Sequence, residues 1–326
     1  MPLLGKPANV CYFGFLTESN IKKNKAGRLI VKFAAIDIGT NAARMQISSV
    51  LHADVVRLKK VEYVRFPLRL GHDVFTEGRI SEYNEDRMVK LMLVYQLLME
   101  LHEIEDYMAC ATSAMRESVN GTEVRDRIEK RTGIHIHIID GQKEAELTNN
   151  VVVKALDNGQ YLHIDVGGGS TELNLYMDQV KIASKSFKLG SVRLLEGKEA
   201  KGAWKTMQSW IKDHVNFSEP IKAVGTGGNI NKLFDLSSKL TEWSTSLEEI
   251  RRMRNYIADF NLDDRINKLM LNPDRADVIV PAGDIYIAAM EWAGAEIMNV
   301  PDVGLKDGIL QLLYEKHLKR KKQPAR

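Results

Sequence analysis

The alternation of apolar and polar residues becomes regular at about residue 33. From there KFAAIDIGTNAARMQISSV has an apolar run, a glycine turn and a partly alternating segment, and VVRLKKVEYVRF follows it. A period of two is typical of half-buried strands, so we predict three consecutive antiparallel strands. Residues 1–32 show no sustained periodicity, and we expect them to form a flexible extension.

A long helix is predicted over about 81–105. Ser81 is a suitable N-cap, and these apolar residues follow at helical spacing: Met88, Leu91, Met92, Tyr95, Leu98 and Met99. We then predict the strand YMACATSAM, a helix near 122–132 closed by Gly133, and the strand IHIHIID. The polar segment GQKEAEL begins the next helix. Strands and helices therefore alternate along this part of the chain.

The opening pattern recurs further along. YLHIDVGGGSTELNLYM and VKIASKSFKL again predict a strand, a glycine-rich turn, a strand, a short turn and a strand. Helical segments follow around 199–215, the short strand IKAVGTGG precedes another helix, and the last third is mostly helical. A repeated unit of this length implies two similar domains that face each other.

Composition limits the class of protein. A chain of 326 residues with 44% hydrophobic residues can bury two ordinary cores. Its two cysteines, Cys11 and Cys110, do not provide a disulfide framework, so we expect a reducing, cytoplasmic location. No apolar stretch reaches the roughly 18 residues of a membrane helix, and Lys6 and Pro7 interrupt the first segment, so we predict neither a signal peptide nor a membrane partner.

Charge is distributed unevenly. The formal net charge is +3, but residues 1–32 carry six basic groups against one acid, and residues 319–326 carry five basic groups and no acid. The body between them is therefore acidic. Such a surface does not favour nucleic acid, and a phosphate substrate would need local basic groups, backbone amides or a metal ion.

Three glycine-rich turns are candidate phosphate sites. In the first two, a buried strand ends at an aspartate, Asp37 or Asp165, and is followed by glycines and hydroxyl residues. One such turn could be only a hairpin, but two at matching positions favour a phosphate chain bound together with a metal ion. The third turn ends a strand and begins a helix, where free amides and the helix dipole attract anions. The predicted phosphate-binding residues of the turns are Gly39, Thr40, Asn41, Gly167, Gly168, Gly169, Ser170, Thr171, Gly225, Thr226, Gly227 and Gly228.

The chain resembles the exopolyphosphatase/guanosine pentaphosphate phosphohydrolase (Ppx/GppA) family. The segments IDIGTNAARMQ, ATSAMRES, GQKEAEL, HIDVGGGSTEL, KLGSVRL, VGTGG and GLKDGIL occur in the family's order over about residues 33–315. The resemblance implies an α/β fold with two ribonuclease H-like domains of the actin, Hsp70 and sugar kinase superfold, and an active site in the cleft between them. It also implies a short form without the family's additional C-terminal helical domain.

The resemblance places domain boundaries on the sequence. We expect the first ribonuclease H-like domain at residues 33–147 and the second at residues 148–301. A C-terminal helix at 302–318 is expected to pack back on the first domain, and a basic tail occupies 319–326.

The resemblance also suggests residue roles. Glu144 matches the second acid of the family's G-x-E-E-A pattern and would activate the attacking water, although an acid at a helix start can simply be exposed. The first acid of that pattern is replaced by Lys143. Arg116 matches the family's active-site arginine. Arg193 is a further phosphate-binding candidate that could equally form a structural ion pair.

Acidic residues of both turns suggest a metal. Asp165 and Glu172 match acids of the family's second phosphate motif, and Asp37 would face them, so Mg²⁺ or another divalent cation is expected between carboxylates and phosphates. Glu172 could instead be a solvent-facing strand residue. Lys306 and Asp307 stand where the family usually has Arg and Glu, and we expect this to alter packing only.

The resulting hypothesis is an exopolyphosphatase that releases terminal orthophosphate from inorganic polyphosphate. Guanosine pentaphosphate is the alternative substrate. A polyphosphate-using phosphotransferase and a non-enzymatic anion-binding protein also stay open, the latter because of Lys143. The family often forms dimers, so a homodimer is possible.

Overall fold

The computed structural model describes residues 31–52 and 56–322, which form two α/β halves. The predicted extension at 1–32 lies outside the described residues except for its last two, and Lys32 already begins a strand. In the described part of the chain, no helix combines the length and apolar character needed to cross a membrane.

The first half contains a five-stranded sheet in the order β3-β2-β1-β4-β5. The first three strands are antiparallel, and β4 and β5 are parallel to β1. The elements are β1 (Lys32–Ile38), β2 (Ala43–His52), β3 (Val56–Phe66), α1 (Leu70–Glu77), α2 (Glu82–Leu101), β4 (Asp106–Ala111), α3 (Ser113–Glu117), α4 (Gly121–Thr132), β5 (Ile136–Ile138) and α5 (Gly141–Val152).

The second half repeats this arrangement and adds an edge strand. Its sheet has the order β10-β11-β9-β6-β7-β8, with β6, β7 and β8 antiparallel and β9 parallel to β6. The elements are β6 (Gln160–Val166), β7 (Thr171–Met177), β8 (Val180–Phe187), α6 (Ser191–Leu195), α7 (Ala203–His214), β9 (Ile221–Thr226), α8 (Gly228–Leu236), β10 (Ser244–Ser246), α9 (Leu247–Ala258), α10 (Leu262–Asn267), α11 (Pro273–Ala276), α12 (Ile279–Ala293), β11 (Ile297–Asn299) and α13 (Leu305–Lys322).

Several predicted elements differ in their ends. The Ser81 side chain accepts the Asn84 N–H at the start of α2, as a cap should, but α2 stops at Leu101. The predicted strand YMACATSAM ends at Ala111, because its partner β1 ends at Ile38 and offers no further ladder. The residues that follow form α3. Helix α1 was not predicted.

The last helix, α13, packs on the first half of the molecule. Its residue Ile309 joins a core cluster with Phe33 of β1. A β carbon on Gly308 would lie 2.1 Å from the carbonyl oxygen of Leu147 in α5, so the two helices cross at backbone distance. Helix α13 therefore holds β1 and α5 together, and these elements carry Asp37 and Glu144.

Candidate active site

A cleft lies between the two halves, at the carboxyl ends of β1, β6 and β9. When the carboxyl ends of neighbouring parallel strands lie at the same edge of a sheet, the turns that follow these strands lie side by side. Each half of the molecule contributes such turns to the cleft. Eleven of the predicted site residues line it: Asp37, Gly39, Thr40, Asn41, Glu144, Asp165, Gly167, Gly168, Ser170, Gly227 and Gly228.

Glu144 lies on α5 at the wall of this cleft. Its side chain is half-buried, and its Oε2 atom is buried without a hydrogen-bond partner. Burial and the neighbouring Glu172 carboxylate raise the pKa of Glu144 well above its usual range. Asp165 and Asp37 raise this pKa further, whereas the charge of Arg116 opposes the shift. The surroundings of Glu144 thus increase its affinity for a proton, and a high proton affinity suits a general base.

Lys143, the departure from the family pattern, points elsewhere. The Asp140 side chain caps α5 by accepting the Lys143 backbone N–H at 2.7 Å, which orients the first turn of the helix. The Lys143 ammonium lies 2.9 Å from Glu146 on the helix surface. Lys143 does not line the cleft, so its position does not support an anion-binding site formed around it.

The carboxylates at the cleft differ in accessibility. Asp37 accepts a hydrogen bond from Arg44 at 2.9 Å. Burial raises the pKa of Asp165 to about 6, while a hydrogen bond from Thr226 acts in the opposite direction. Glu172 is 4% exposed, accepts from Ser186 Oγ at 2.7 Å and does not line the cleft. It is therefore not the solvent-facing strand residue that was the alternative.

Arginines that the sequence analysis did not select line the cleft as well. Arg65 binds both carboxylate oxygens of Asp274 and so joins β3 to α11 across the two halves. Arg275, on the same short helix, lies against the Gly227–Gly228 turn, since a β carbon on Gly228 would be 3.2 Å from its Nη2. Among the described residues, no ion pair to the Arg275 side chain is found. Its guanidinium is therefore a cleft cation with donors left for an anion.

Two predicted arginines lie behind the cleft wall. Arg116 donates from Nη1 to the Ile139 carbonyl oxygen at 2.6 Å, and its positive charge lowers the pKa of Glu144. Arg193 is 6% exposed and donates to the Gly169 carbonyl oxygen and to Glu117, each at 2.7 Å. Arg193 therefore forms the structural ion pair that was its alternative role.

Four predicted phosphate-binding residues lie away from the cleft surface for physical reasons. Thr171 and Thr226 are fully buried, and Thr171 donates to the Leu189 carbonyl oxygen at 2.6 Å. A β carbon on Gly225 would lie 2.5 Å from the Met298 sulfur, so this glycine serves core packing. Gly169 likewise packs against the side chains of Ser113 and Phe75.

Comparison with known proteins identifies the family of this chain. A sequence model of the Ppx/GppA phosphatase family matches residues 49–317. The chain belongs to this family. The prediction of a phosphohydrolase of this family is confirmed.

Relatives at low identity share most of the chain. Exopolyphosphatase 2 of Mycobacterium tuberculosis is 27% identical over 325 residues, covering 86% of this chain and 98% of that protein. The bifunctional 3-dehydroquinate synthase/phosphatase of Fusobacterium nucleatum is 26% identical over 89% of this chain, which spans only 48% of that relative.

Solved Ppx/GppA structures show the same fold. An exopolyphosphatase from Cytophaga hutchinsonii superposes with a TM-score of 0.74 at 21% identity, covering 87% of this chain and 98% of that one. The Aquifex aeolicus family member superposes with a TM-score of 0.70 at 22% identity, covering 90% of this chain and 100% of that one. The predicted α/β fold of the actin superfold is confirmed.

Lys306, for which the sequence predicted an effect on packing only, lies at the cleft. Its ammonium lies 2.6 Å from Asp307. Asp307 also accepts from Gln46 Nε2 at 3.2 Å and from the Gly304 N–H at 2.9 Å. A positive charge therefore lies at the cleft, held by a carboxylate that Gln46 and Gly304 also bind.

The residues present suit a magnesium ion only in part. In residues 31–52 and 56–322, no group of three histidine, cysteine, aspartate or glutamate side chains is arranged to hold a metal. The predicted set of Asp37, Asp165 and Glu172 thus does not converge, but Asp37 and Asp165 line the cleft from its two sides. Mg²⁺ is commonly bound by one or two carboxylates together with water and substrate phosphates, so this pair fits such an ion.

Proposed function

We propose that this Ppx/GppA protein is an exopolyphosphatase that releases orthophosphate from the end of inorganic polyphosphate. The observation that carries the proposal is the position of Glu144. One of its carboxylate oxygens has no partner, in a cleft whose other walls are glycine turns and arginines. The exopolyphosphatases among its relatives support the choice of polyphosphate.

The phosphate chain would lie across the turns of both halves. The backbone N–H groups of Thr40, Asn41, Gly168 and Ser170 would bind its oxygens, whereas those of Gly39 and Gly167 already donate to the carbonyl oxygens of Ala42 and Ser170. The Gly227 turn adds the amino end of α8. Gly227 has a φ of 111°, a conformation that requires glycine. Arg275 and Lys306 would neutralise part of the charge, so the acidic body of the protein does not prevent binding.

Hydrolysis then needs an oriented water and charge stabilisation. Glu144 accepts a proton from the water molecule while the water oxygen forms a bond to the terminal phosphorus. The bond from that phosphorus to the bridging oxygen breaks in the same step. The products are orthophosphate and a chain one phosphate shorter. Asp37 and Asp165 would hold Mg²⁺, which when bound offsets the negative charge that develops on the phosphate oxygens. Arg116 supports the site from behind by its charge on Glu144.

Guanosine pentaphosphate is the second candidate because an aromatic ring lies at the cleft. Tyr63 is 39% exposed and lines it, and an exposed ring could stack on a guanine base. A preference for guanosine pentaphosphate over polyphosphate, lost in Tyr63→Ala, would support this candidate.

The test is Mg²⁺-dependent phosphate release from tripolyphosphate, long polyphosphate, guanosine pentaphosphate and ATP, with wild type and Glu144→Gln. We expect release from polyphosphate, and loss of turnover with nearly intact substrate binding in the variant. Glu146→Gln on the exposed side of the same helix is the control. Transfer of phosphate to ADP, or tight binding without release, would instead support the phosphotransferase or the binding protein.

A further inference from the structure

A row of polar side chains lies on one face of the second sheet, behind the cleft. His163 and Asp165 share a face of β6 because they are two residues apart. Asn174 of β7 lies opposite His163, and Ser184 of β8 lies opposite Asn174. Thr226 of β9 pairs with Asp165. The register of four adjacent strands therefore brings five polar side chains into one row that ends at the cleft.

The row is hydrogen-bonded along its length. Ser184 Oγ lies 2.7 Å from Asn174 Oδ1, and the Asn174 amide nitrogen lies 3.0 Å from His163 Nδ1. His163 Nε2 lies 2.9 Å from Thr226 Oγ1. Thr226 lies beside Asp165 on the neighbouring strand, and its side chain acts as a hydrogen-bond partner that lowers the pKa of the Asp165 carboxyl. His163 and Asn174 are each 1% exposed and Thr226 is fully buried. These three side chains consequently depend on one another for partners.

One direction of donation satisfies every member of the row. Thr226 has a single hydroxyl proton, and if that proton goes to Asp165, the hydroxyl oxygen must accept one from His163 Nε2. His163 Nδ1 must then be the acceptor of the Asn174 amide N–H. The Asn174 oxygen, in turn, accepts from Ser184. Each side chain therefore donates toward the cleft.

We propose that His163 is a positioning residue for the hydrolysis. Asn174 holds it as the neutral Nε2–H tautomer, and it thereby directs the Thr226 hydroxyl proton to Asp165. That donor fixes the Asp165 carboxylate and leaves its other lone pairs to the cleft, as outer partners of carboxylate ligands do. The role of Asp165 rests on the proposed function, whereas the tautomer is a property of the resting protein.

The direct test is ¹⁵N NMR of the wild-type protein labelled in its histidine rings. We expect one of the eight histidines to be a neutral Nε2–H tautomer with a ring proton protected from exchange, and its signal to be absent from His163→Gln. If His163→Gln does not fold, Thr226→Ser identifies the same signal by its change in chemical shift. A neutral Nδ1–H ring or a doubly protonated ring at His163 would overturn the proposal, whatever the substrate.

Kinetics separate positioning from mere stability. Thr226→Val removes the hydroxyl at nearly constant volume, and we expect kcat to fall about tenfold or more with little change in KM, since a hydrogen bond to a charged group is lost. Thr226→Ser keeps the hydroxyl and should restore most of kcat. Unchanged kcat in Thr226→Val would contradict the proposal.

Gln160→Met is the matched control. It removes two hydrogen bonds at the start of β6, from Gln160 Nε2 to the Asn216 carbonyl oxygen at 3.0 Å and from the Asn216 N–H to Gln160 Oε1 at 2.8 Å, at the end of the strand away from Asp165. We expect this variant to lose stability without losing kcat. An equal loss of kcat would show that any disturbance of the sheet is sufficient and would overturn the positioning role of His163. Absence of phosphate release by the wild type would refute the proposed function and leave the NMR test standing.

Discussion

Thr40 of the first glycine turn lies against the backbone of Gly168 in the second. A β carbon on Gly168 would be 2.9 Å from both Cβ and Cγ2 of Thr40 and 3.1 Å from Cγ2 of Val192. Interiors packed this closely do not absorb an added carbon without movement. Gly168 is therefore required where the two halves meet, besides any role in binding an anion.

Gly168→Ala should force the two turns apart. Overpacking of this kind costs about 1–3 kcal/mol, so we expect a lower melting temperature. Because the turns also form the cleft, KM for polyphosphate should rise. Thermal unfolding and steady-state kinetics of the same preparation measure both effects.

The double variant Gly168→Ala with Thr40→Ser tests the cause of these losses. It removes Cγ2 of residue 40 and keeps a hydroxyl for Ser113, whose Oγ lies 2.7 Å from Thr40 Oγ1. Partial recovery of stability is expected. If the single variant melts like wild type, the contact between the turns is not tight, and the interpretation of Gly168 is wrong.

The fold was largely predictable because its signals are local. Strand alternation, the Ser81 cap and the glycine turns can each be recognised within a few residues, and the repeated pattern indicated two halves. The exact end of β4 was not predictable, because it depends on where β1 stops, and β1 lies far away in sequence. Helix α1 was missed since no clear pattern of caps and apolar spacing marks it.

The candidate site was predictable only for functional residues that lie within a recognisable turn motif. Asp37 and Asp165 follow buried strands, so their positions at the cleft could be inferred. Arg275 belongs to a four-residue helix far along the chain, and its place beside Gly228 arises from tertiary packing. The burial of Thr226 and Arg193 likewise depends on strands and helices packed over them, which no motif reveals.

Glu144→Gln should stabilise the protein at neutral pH while it abolishes turnover. The pKa of Glu144 in the folded protein is raised above 4.5, the ordinary value that it has in the unfolded chain. At a pH between the unfolded-state pKa and the folded-state pKa, the folded protein therefore binds more protons than the unfolded chain. The contribution of Glu144 to stability therefore falls as pH rises through that window. We expect the variant to melt higher than wild type at pH 8 in the absence of metal, and the difference to shrink toward pH 4.5.

The control for this pH dependence is Glu146→Gln. Its side chain is 60% exposed and pairs with Lys143 at the surface, and such pairs contribute little to stability. Thermal unfolding across the pH range should show a small effect that changes little with pH. A Glu144→Gln protein that is less stable than wild type at pH 8 would mean that the buried carboxylate has a partner after all.

Arg275→Gln should weaken substrate binding more than the chemical step. The loss of a charged donor to phosphate would raise KM for polyphosphate by about tenfold or more, and Arg275→Lys should recover only part because it lacks the fork. Arg252→Gln, which removes an exposed arginine of α9, is the control. An unchanged KM in Arg275→Gln would place the phosphate chain elsewhere in the cleft.

Arg193→Lys should lower stability and leave substrate binding unchanged. The Arg193 guanidinium lies 4.0 Å from the Phe75 ring centroid and bonds the Gly169 carbonyl oxygen and Glu117, which together hold α1, α3 and the second turn in place. A lysine keeps the charge but cannot make these contacts at once, and a lost hydrogen bond to a charged group costs about 1.5–3 kcal/mol. We expect a melting temperature lower by several degrees, with KM for polyphosphate near wild type, as measured by calorimetry and phosphate release. A variant with normal stability but a much higher KM would show that Arg193 binds the substrate after all.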